Sequence, residues 1–235
     1  MLNVERHKVV LQQILREIYT DEELLAKVVF KGGTCLMLFY GLDRFSTDLD
    51  FDLRIGSTEI NRERITRIAK KYLTVDDEYD KHFTFFWSGS FESGLQRVKI
   101  EINKRPWPQA IENKDYYGLT IPTLASNKML AHKLCAIMDR KTLLNRDLYD
   151  TYFMLTKGFS IDEEIIKLRT GLSVKDYLEK LAEFLDTPKT DRNILHGLGE
   201  VLSDERKKWV KNYLLSELVA QIKIVPLRFN SRRPI

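Results

Sequence analysis

An α+β fold, with a β-sheet flanked by helices in the first half and helices alone in the second, follows from three features of this 235-residue sequence. Segments with the two-residue alternation of half-buried strands, such as LQRVKIEIN at 95–103, lie before Pro122. Between them run segments whose apolar residues recur every three or four positions, the period of an amphipathic helix. Beyond Pro122 the helical period continues through Ile224 with no strand pair to interrupt it. The expected organisation is a sheet-bearing domain over 1–122 and a helical domain over 123–235.

The elements follow in order. Val10, Ile14 and Ile18, with Leu11 alongside, predict a helix over 4–19. Asp21 is placed to cap a shorter helix over 22–29, because its side chain can accept from free amides of the first turn. Residues 33–40 read as the next helix, and Gly41 supplies a glycine stop. Residues 46–54 alternate as a strand, Ile60, Ile65 and Ile68 mark a helix over 58–72, and 78–87 returns to strand. In 95–103, Val98, Ile100 and Ile102 share one face while Lys99, Glu101 and Asn103 share the other. Helices are then expected over 124–140, 145–156, 161–170, 174–185 and 204–224. The tail VPLRFNSRRPI, with Arg228, Arg232 and Arg233 beside two prolines, should be extended, basic and mobile.

Bulk composition excludes little. A 43% hydrophobic and 31% charged chain has the balance of a soluble globular protein, and a net charge of +4 does not by itself announce a nucleic-acid binder. Cys35 and Cys135 have neither metal-ligand spacing nor a disulfide framework and should stay reduced. His7, His82, His132 and His196 are scattered and form no cluster. The first residues, MLNVERHKVVLQQILREIY, lack the continuous apolar stretch of a signal peptide or membrane span. A cytoplasmic protein with no membrane partner is therefore expected.

Chemistry concentrates in KGGTCLMLFYGLDRFSTDLDF at 31–51. Gly32, Gly33 and Thr34 offer unobstructed backbone amides near a helix start, where donors and the helix dipole favour a phosphate. Asp48 and Asp50, separated by Leu49, project from one side of a strand. Carboxylates held that close repel unless a cation sits between them. The pattern suits a nucleoside triphosphate with a hard divalent metal, magnesium first and manganese as the alternative. In two-metal nucleotidyl transfer, ions about 3.5–4 Å apart activate the attacking hydroxyl and stabilise the leaving pyrophosphate. Glu101, on the polar side of its strand, is the candidate third carboxylate.

Competing readings are weaker. Asp48, Asp50, Asp52 and Glu59 fall at positions one, three, five and twelve of a calcium loop, but Leu53 stands where that loop needs glycine. KGGT lacks both the spacing and the following lysine of a Walker loop. A glycosyltransferase with a D-x-D pair would use the same metal physics, although the upstream glycine pair and the downstream lysine helix argue against it. Asp52 shares the face of Asp48 and Asp50 and could replace one of them as a ligand; otherwise it is a solvated residue near the strand end. Gly32 and Gly33 could also form a tight turn without a ligand.

The ordered blocks GGT, YGLDRFS, TDLDF, KIEI, AHKLCAIMDR and NRDLYDTYFML, from Lys31 to Leu155, resemble the AbiEii/AbiGii toxin family of nucleotidyltransferases. The resemblance implies a DNA polymerase beta-type core with a mixed sheet, followed by a helical domain, in a toxin paired with an antitoxin protein. It implies transfer of a nucleoside monophosphate from a nucleoside triphosphate to an RNA hydroxyl, transfer RNA among the candidates, or to a protein hydroxyl. The family pattern S-x-D-x-D maps onto Ser46, Asp48 and Asp50 and favours that pair over Asp52, with the Ser46 hydroxyl near a phosphate or ligand carboxylate. The family's lysine helix implies that Lys133 contacts the triphosphate, and the RDLYD block places Asp147 in the active site, orienting Lys133 or acting as a base. Without the resemblance, Lys133 reads as a solvated helix lysine, Asn145 as a helix cap, and Arg140 and Arg146 as partners of Asp139 or Asp150. Lys207, Lys208, Lys211 and Lys223 with Trp209 and Tyr213 give a late helix some nucleic-acid-like surface. The contrasting function class is a non-catalytic nucleotide- or partner-binding module that retains the fold.

Overall fold

The computed structural model describes residues 2–57, 59–92, 94, 96–187 and 193–230, with side chains described through 225. The chain divides into two compact units, Met1–Ala125 and Ser126–Ile235.

The first unit opens with helices α1 (Val4–Thr20) and α2 (Glu22–Lys27). Asp21 caps α2 as its position suggests, its carboxylate accepting from the amides of Glu23 and Leu24 at 3.1 Å. Then come β1 (Val28–Lys31), α3 (Gly32–Tyr40), β2 (Asp48–Leu53), α4 (Arg62–Tyr72), β3 (Thr74–Lys81), β4 (Thr84–Ser90), β5 (Val98–Asn103), β6 (Ile111–Tyr116) and β7 (Leu119–Leu124). The seven strands form one mixed sheet in the order β3-β4-β5-β2-β1-β7-β6. β2 runs parallel to β5 and antiparallel to β1, while β3–β4 and β6–β7 are antiparallel hairpins. Leu49, Phe51, Ile100, Ile102, Phe85 and Trp87 share one face of this sheet by register and alternation, and all are buried. The opposite face carries the polar residues of β2 and β5.

The structure departs from the sequence expectation at several elements. The single strand expected over 78–87 is a hairpin that turns at His82 and Phe83, with Lys81 opposite Thr84. The turn lacks the Asn-Gly or Asp-Gly signature that would have marked it. β1 was absorbed into the helix expected over 22–29, because a four-residue apolar run has no period of its own. β6 was missed because none of its residues is buried. α4 starts at Arg62, after Asn61 accepts from the Glu63 amide at 3.1 Å, four residues later than expected. Thr58 and Leu95, the first residues of two expected elements, lie outside the described residues.

The second unit is helical: α5 (Ser126–Asp139), α6 (Asn145–Thr156), α7 (Glu163–Thr170), α8 (Val174–Leu185) and α9 (Asp204–Asn230). Leu130, Leu134, Leu148, Met154, Ile165, Leu181 and Leu214 are among its fully buried side chains. Asn145 does not cap α6. Leu144 holds that position, and the Asn145 amide instead donates to the carbonyls of Asn193 and His196, at 3.0 and 3.1 Å. The chain over 225–230 is helical rather than extended. Val210, Leu214, Leu218, Ile222 and Val225 are buried at helical spacing, so the packed stripe of α9 carries past Ile224. The Arg228 side chain, Arg232 and Arg233 lie outside the described residues.

Candidate active site

Sequence alternation and strand pairing together build the acidic face of the first unit. Asp48 and Asp50 are half-buried on β2, while Leu49 and Phe51 between and beyond them fill the core. On parallel β5, Lys99 stands opposite Asp48 and Glu101 opposite Asp50. The row continues on both sides, with Lys31 opposite Asp50 on β1 and Phe86 opposite Glu101 on β4. Paired residues point to the same face, so Asp48, Asp50 and Glu101 share one surface of the sheet. Among the described residues, no group of three or more His, Cys, Asp or Glu side chains is gathered so as to hold a metal ion. Strand register thus places the three carboxylates side by side without drawing their side chains to a single point.

Asp52 is not the solvated residue expected of a strand end. It is 1% exposed, accepts from Asn103 Nδ2 at 2.7 Å and lies 2.5 Å from Lys31 Nζ. A buried carboxylate is tolerated where a cation and a donor satisfy it. Lys31 is thereby engaged within the sheet.

The glycine turn is fitted to the acidic strand. Gly32 has φ +81°, in the left-handed region, and a Cβ there would collide with the Asp50 carboxylate and lie 2.8 Å from Asp50 Cβ. A Cβ on Gly33 would come within 2.7 Å of both Arg44 Nη2 and Ser46 Oγ. Lys31 at the N-cap of α3 gives no side-chain cap. Thr34 and Ser46 are buried, and the Thr34 hydroxyl donates to the Asp48 carbonyl at 2.5 Å. Gly32, Gly33, Thr34 and Ser46 therefore lie against the acidic strand, with the two hydroxyls turned inward.

His7 escaped the sequence reading. It is fully buried on α1, between the rings of Phe45 and Phe91, and its Nε2 donates to the Thr47 carbonyl at 2.9 Å, next to Asp48. Burial lowers its pKa, against the opposing pull of Thr47 and Asp48. A single histidine on a helix gives no signal for a partner 40 residues away.

The helical unit holds a second polar group. Lys133 Nζ on α5 lies 2.8 Å from Asp147 Oδ1 and 2.9 Å from Asp150 Oδ2 on α6, and Arg140 Nε lies 3.0 Å from Asp147 Oδ2. Both aspartates are buried, at 3% and 0% exposure, so Lys133 is held between two carboxylates rather than solvated. Arg140 pairs with Asp147; Asp139 goes instead to Arg169, at 2.6 Å. On α9, Lys207 and Lys223 pair with Asp204 and Asp186, and Trp209 packs on Tyr152. Those ion pairs neutralise part of the basic surface expected of that helix.

Both cysteines are buried free thiols; burial pushes Cys35 far up and Cys135 to about 11. Among the described residues no helix is long and apolar enough to cross a membrane.

Comparison with solved structures gives the fold. A candidate nucleotidyltransferase from H. pylori aligns with a TM-score of 0.65 at 22% identity, over 99% of this chain and 98% of its own. JHP933 from Helicobacter pylori aligns with a TM-score of 0.56 at 21% identity, over 98% and 99%. No curated protein sequence matches the chain. The sequence pattern described as "Nucleotidyl transferase AbiEii toxin, Type IV TA system" matches residues 13–211, which span the glycine turn, the acidic strand and the Lys133 cluster. With most of its length matched, the chain belongs to the AbiEii nucleotidyltransferase toxin family of type IV toxin–antitoxin systems.

Proposed function

We propose that this transferase moves a nucleoside monophosphate from a nucleoside triphosphate to an RNA hydroxyl, with magnesium or manganese held at Asp48 and Asp50 and completed by Glu101. The observation that carries this reading is the strand register, with Asp50 opposite Glu101 and Asp48 on the same face. All the donors in this set are hard carboxylate oxygens, which fit magnesium, and the missing Gly32 side chain is what lets the Asp50 carboxylate lie against the glycine turn. Such ions would supply charge neutralisation at the transferring phosphoryl group.

The chain's own residues do the rest. Amides at the start of α3, reached without side-chain obstruction at Gly32 and Gly33, would hold phosphate oxygens. The Thr34 hydroxyl fixes the backbone of Asp48 through its carbonyl, and the His7 imidazole fixes the adjoining Thr47 carbonyl. The first ligand thus has an immobile mount. In the helical unit, the family resemblance assigns Lys133 to phosphate contact, and Asp147 and Asp150 hold its ammonium in place. Asp147 is engaged by both Lys133 and Arg140, so it is assigned orientation rather than base catalysis. Family membership also implies an antitoxin partner.

The test is incubation of the purified chain with each labelled nucleoside triphosphate, magnesium and total RNA. Label should enter RNA and vanish in the Asp48→Ala/Asp50→Ala double variant. Persistent labelling by that variant would sink the mechanism, and absence of labelling with any RNA or protein acceptor would favour a binding module without turnover.

A further inference from the structure

The acidic row does not end at Glu101. Its antiparallel neighbour on β4 is Phe86, whose neighbour on the edge strand β3 is Tyr79, so Asp50, Glu101, Phe86 and Tyr79 form one line across four strands. At about 4.8 Å per strand, Tyr79 lies about 10 Å from Glu101 on the carboxylate face. The Tyr79 and Phe86 rings stack at 4.4 Å and 9°, and Lys81 Nζ sits 4.3 Å from the centre of the Tyr79 ring. β3 is the edge of the sheet, and among the described residues no further strand covers Tyr79 on that side. Burial raises the Tyr79 pKa, with Glu101 and Asp77 adding to it, in keeping with its nearness to the acidic row.

The tip of the same hairpin repeats the pattern. Phe83 is 43% exposed, large for a phenylalanine, and carries the Arg105 guanidinium 4.3 Å from its ring centre. His82 packs edge-on against it, and the Phe83 carbonyl receives the Lys104 amide at 2.9 Å, which ties residues 104–105 to the tip. The nearby acids are engaged elsewhere: Asp77 with Arg97, Asp80 with Lys104 and Glu78 with Arg62.

We propose that this surface of the β3–β4 hairpin receives the single-stranded end of an RNA acceptor, one base replacing the Lys81 ammonium over the face of Tyr79 turned away from Phe86 and another stacking on Phe83, while Lys81 and Arg105 meet phosphates. The inference rests on the RNA-transfer reading and extends it to a named acceptor site. Two aromatic rings, each capped by a cation, match a strand that alternates π-faces with negative charge. A second platform at the tip favours a polynucleotide over a lone nucleotide. A protein partner would instead favour a continuous apolar patch, and Lys81, His82 and Arg105 interrupt one here.

The test is fluorescence anisotropy of a labelled oligouridylate against the full chain, without nucleotide, over a range of salt. Tyr79→Ala and Phe83→Ala should each weaken binding about tenfold, and Tyr79→Phe, which keeps the π-face, should restore it. Lys81→Ala and Arg105→Ala should each reduce the salt slope by about 0.7. Unchanged affinity in both aromatic variants, or failure of the wild type to bind oligouridylate, would overturn the proposal. So would loss of antitoxin binding in these variants with RNA binding intact. The transfer assay separates the two levels: RNA binding lost in the variants while the wild type labels no RNA supports this site and rejects RNA transfer. Efficient RNA labelling by Tyr79→Ala and Phe83→Ala rejects the site alone.

Discussion

Replacing Gly32 by alanine tests whether the glycine turn exists to let backbone approach the acidic strand. Two penalties follow from its geometry. An alanine held at φ +81° lies in the left-handed region, which disfavours a Cβ by about 1–2 kcal/mol. That Cβ would also meet Asp50 Cβ at 2.8 Å and Cγ at 3.0 Å, with more of the overlap on the carboxylate itself. Asp50 has little room to move, because β2 is paired to β1 and β5 on both sides. Overpacking of this kind adds about 1–3 kcal/mol, for a total of about 3 kcal/mol. In a chain of this size the loss corresponds to a fall in Tm of about 6–12 °C. Gly33→Ala escapes the φ penalty and meets Arg44 Nη2 and Ser46 Oγ at 2.7 Å, so it should lose about 1–2 kcal/mol. Thermal melts followed by circular dichroism, with nucleotide transfer measured below the transition, would read both. If Gly32→Ala melts with the wild type and keeps full transfer, close approach at Asp50 is not what the glycine supplies.

Other expectations follow from the same geometry. Asp52→Asn should lower stability by about 2 kcal/mol in chemical denaturation, because it removes the charge that pairs with Lys31 and receives Asn103. Lys133→Met should lower it by about 3 kcal/mol by stranding buried Asp147 and Asp150, and adding Asp150→Asn should recover part of the loss. For Asp21, burial pulls the pKa up, but Arg64 and the amides of Leu24 and Glu23 outweigh it and the carboxyl sits below its ordinary value. Its contribution is therefore complete above the unfolded pKa of about 3.9 and lost as pH falls through the lower folded value. The stability gap to Asp21→Ala, about 1 kcal/mol at neutral pH, should close below about pH 4 in denaturant titrations. Cys35 and Cys135, buried and with raised pKa, should resist a thiol-alkylating reagent in the native chain at mildly alkaline pH and react once it is denatured, as mass spectrometry would show.

What the sequence disclosed depended on whether an element buries one face. β2 and β5 alternate cleanly because Leu49, Phe51, Val98, Ile100 and Ile102 fill the core while their neighbours face out. The helices from α5 to α8 were legible for the corresponding reason, as each presents an apolar stripe to its neighbours. β6 buries none of its residues and β1 is four residues long, so neither imposes a period. The hairpin turn at His82 and Phe83 carries no glycine or asparagine to mark it; Phe83 lies against Arg105, beyond the hairpin in sequence, and His82 packs edge-on against Phe83. Asn145 shows the limit of local rules: its cap-forming side chain is taken by carbonyls 48 and 51 residues away.

The acidic strand shows why alternation places carboxylates but does not assign them. Asp48, Asp50 and Asp52 share a face, yet only Asp52 is fully buried, and only long-range partners could reveal that. Lys31 and Asn103 stand 21 and 51 residues away in sequence and together satisfy its charge. The pairing has a consequence for the lysine as well as for the aspartate. The Lys31 side chain precedes the glycine pair, where a phosphate-binding cation could be sought, but its ammonium is committed to Asp52 and draws charge inward. On the proposed function, charge neutralisation for a phosphate at the glycine turn would then fall to backbone amides, to the buried Arg44 guanidinium beside Gly33 and to any metal held at Asp48 and Asp50. A Cβ at Gly32 or Gly33 would stand beside those amides and press on the Asp50 carboxylate or the Arg44 guanidinium, so the glycine pair and the Lys31–Asp52 pair are two parts of one arrangement.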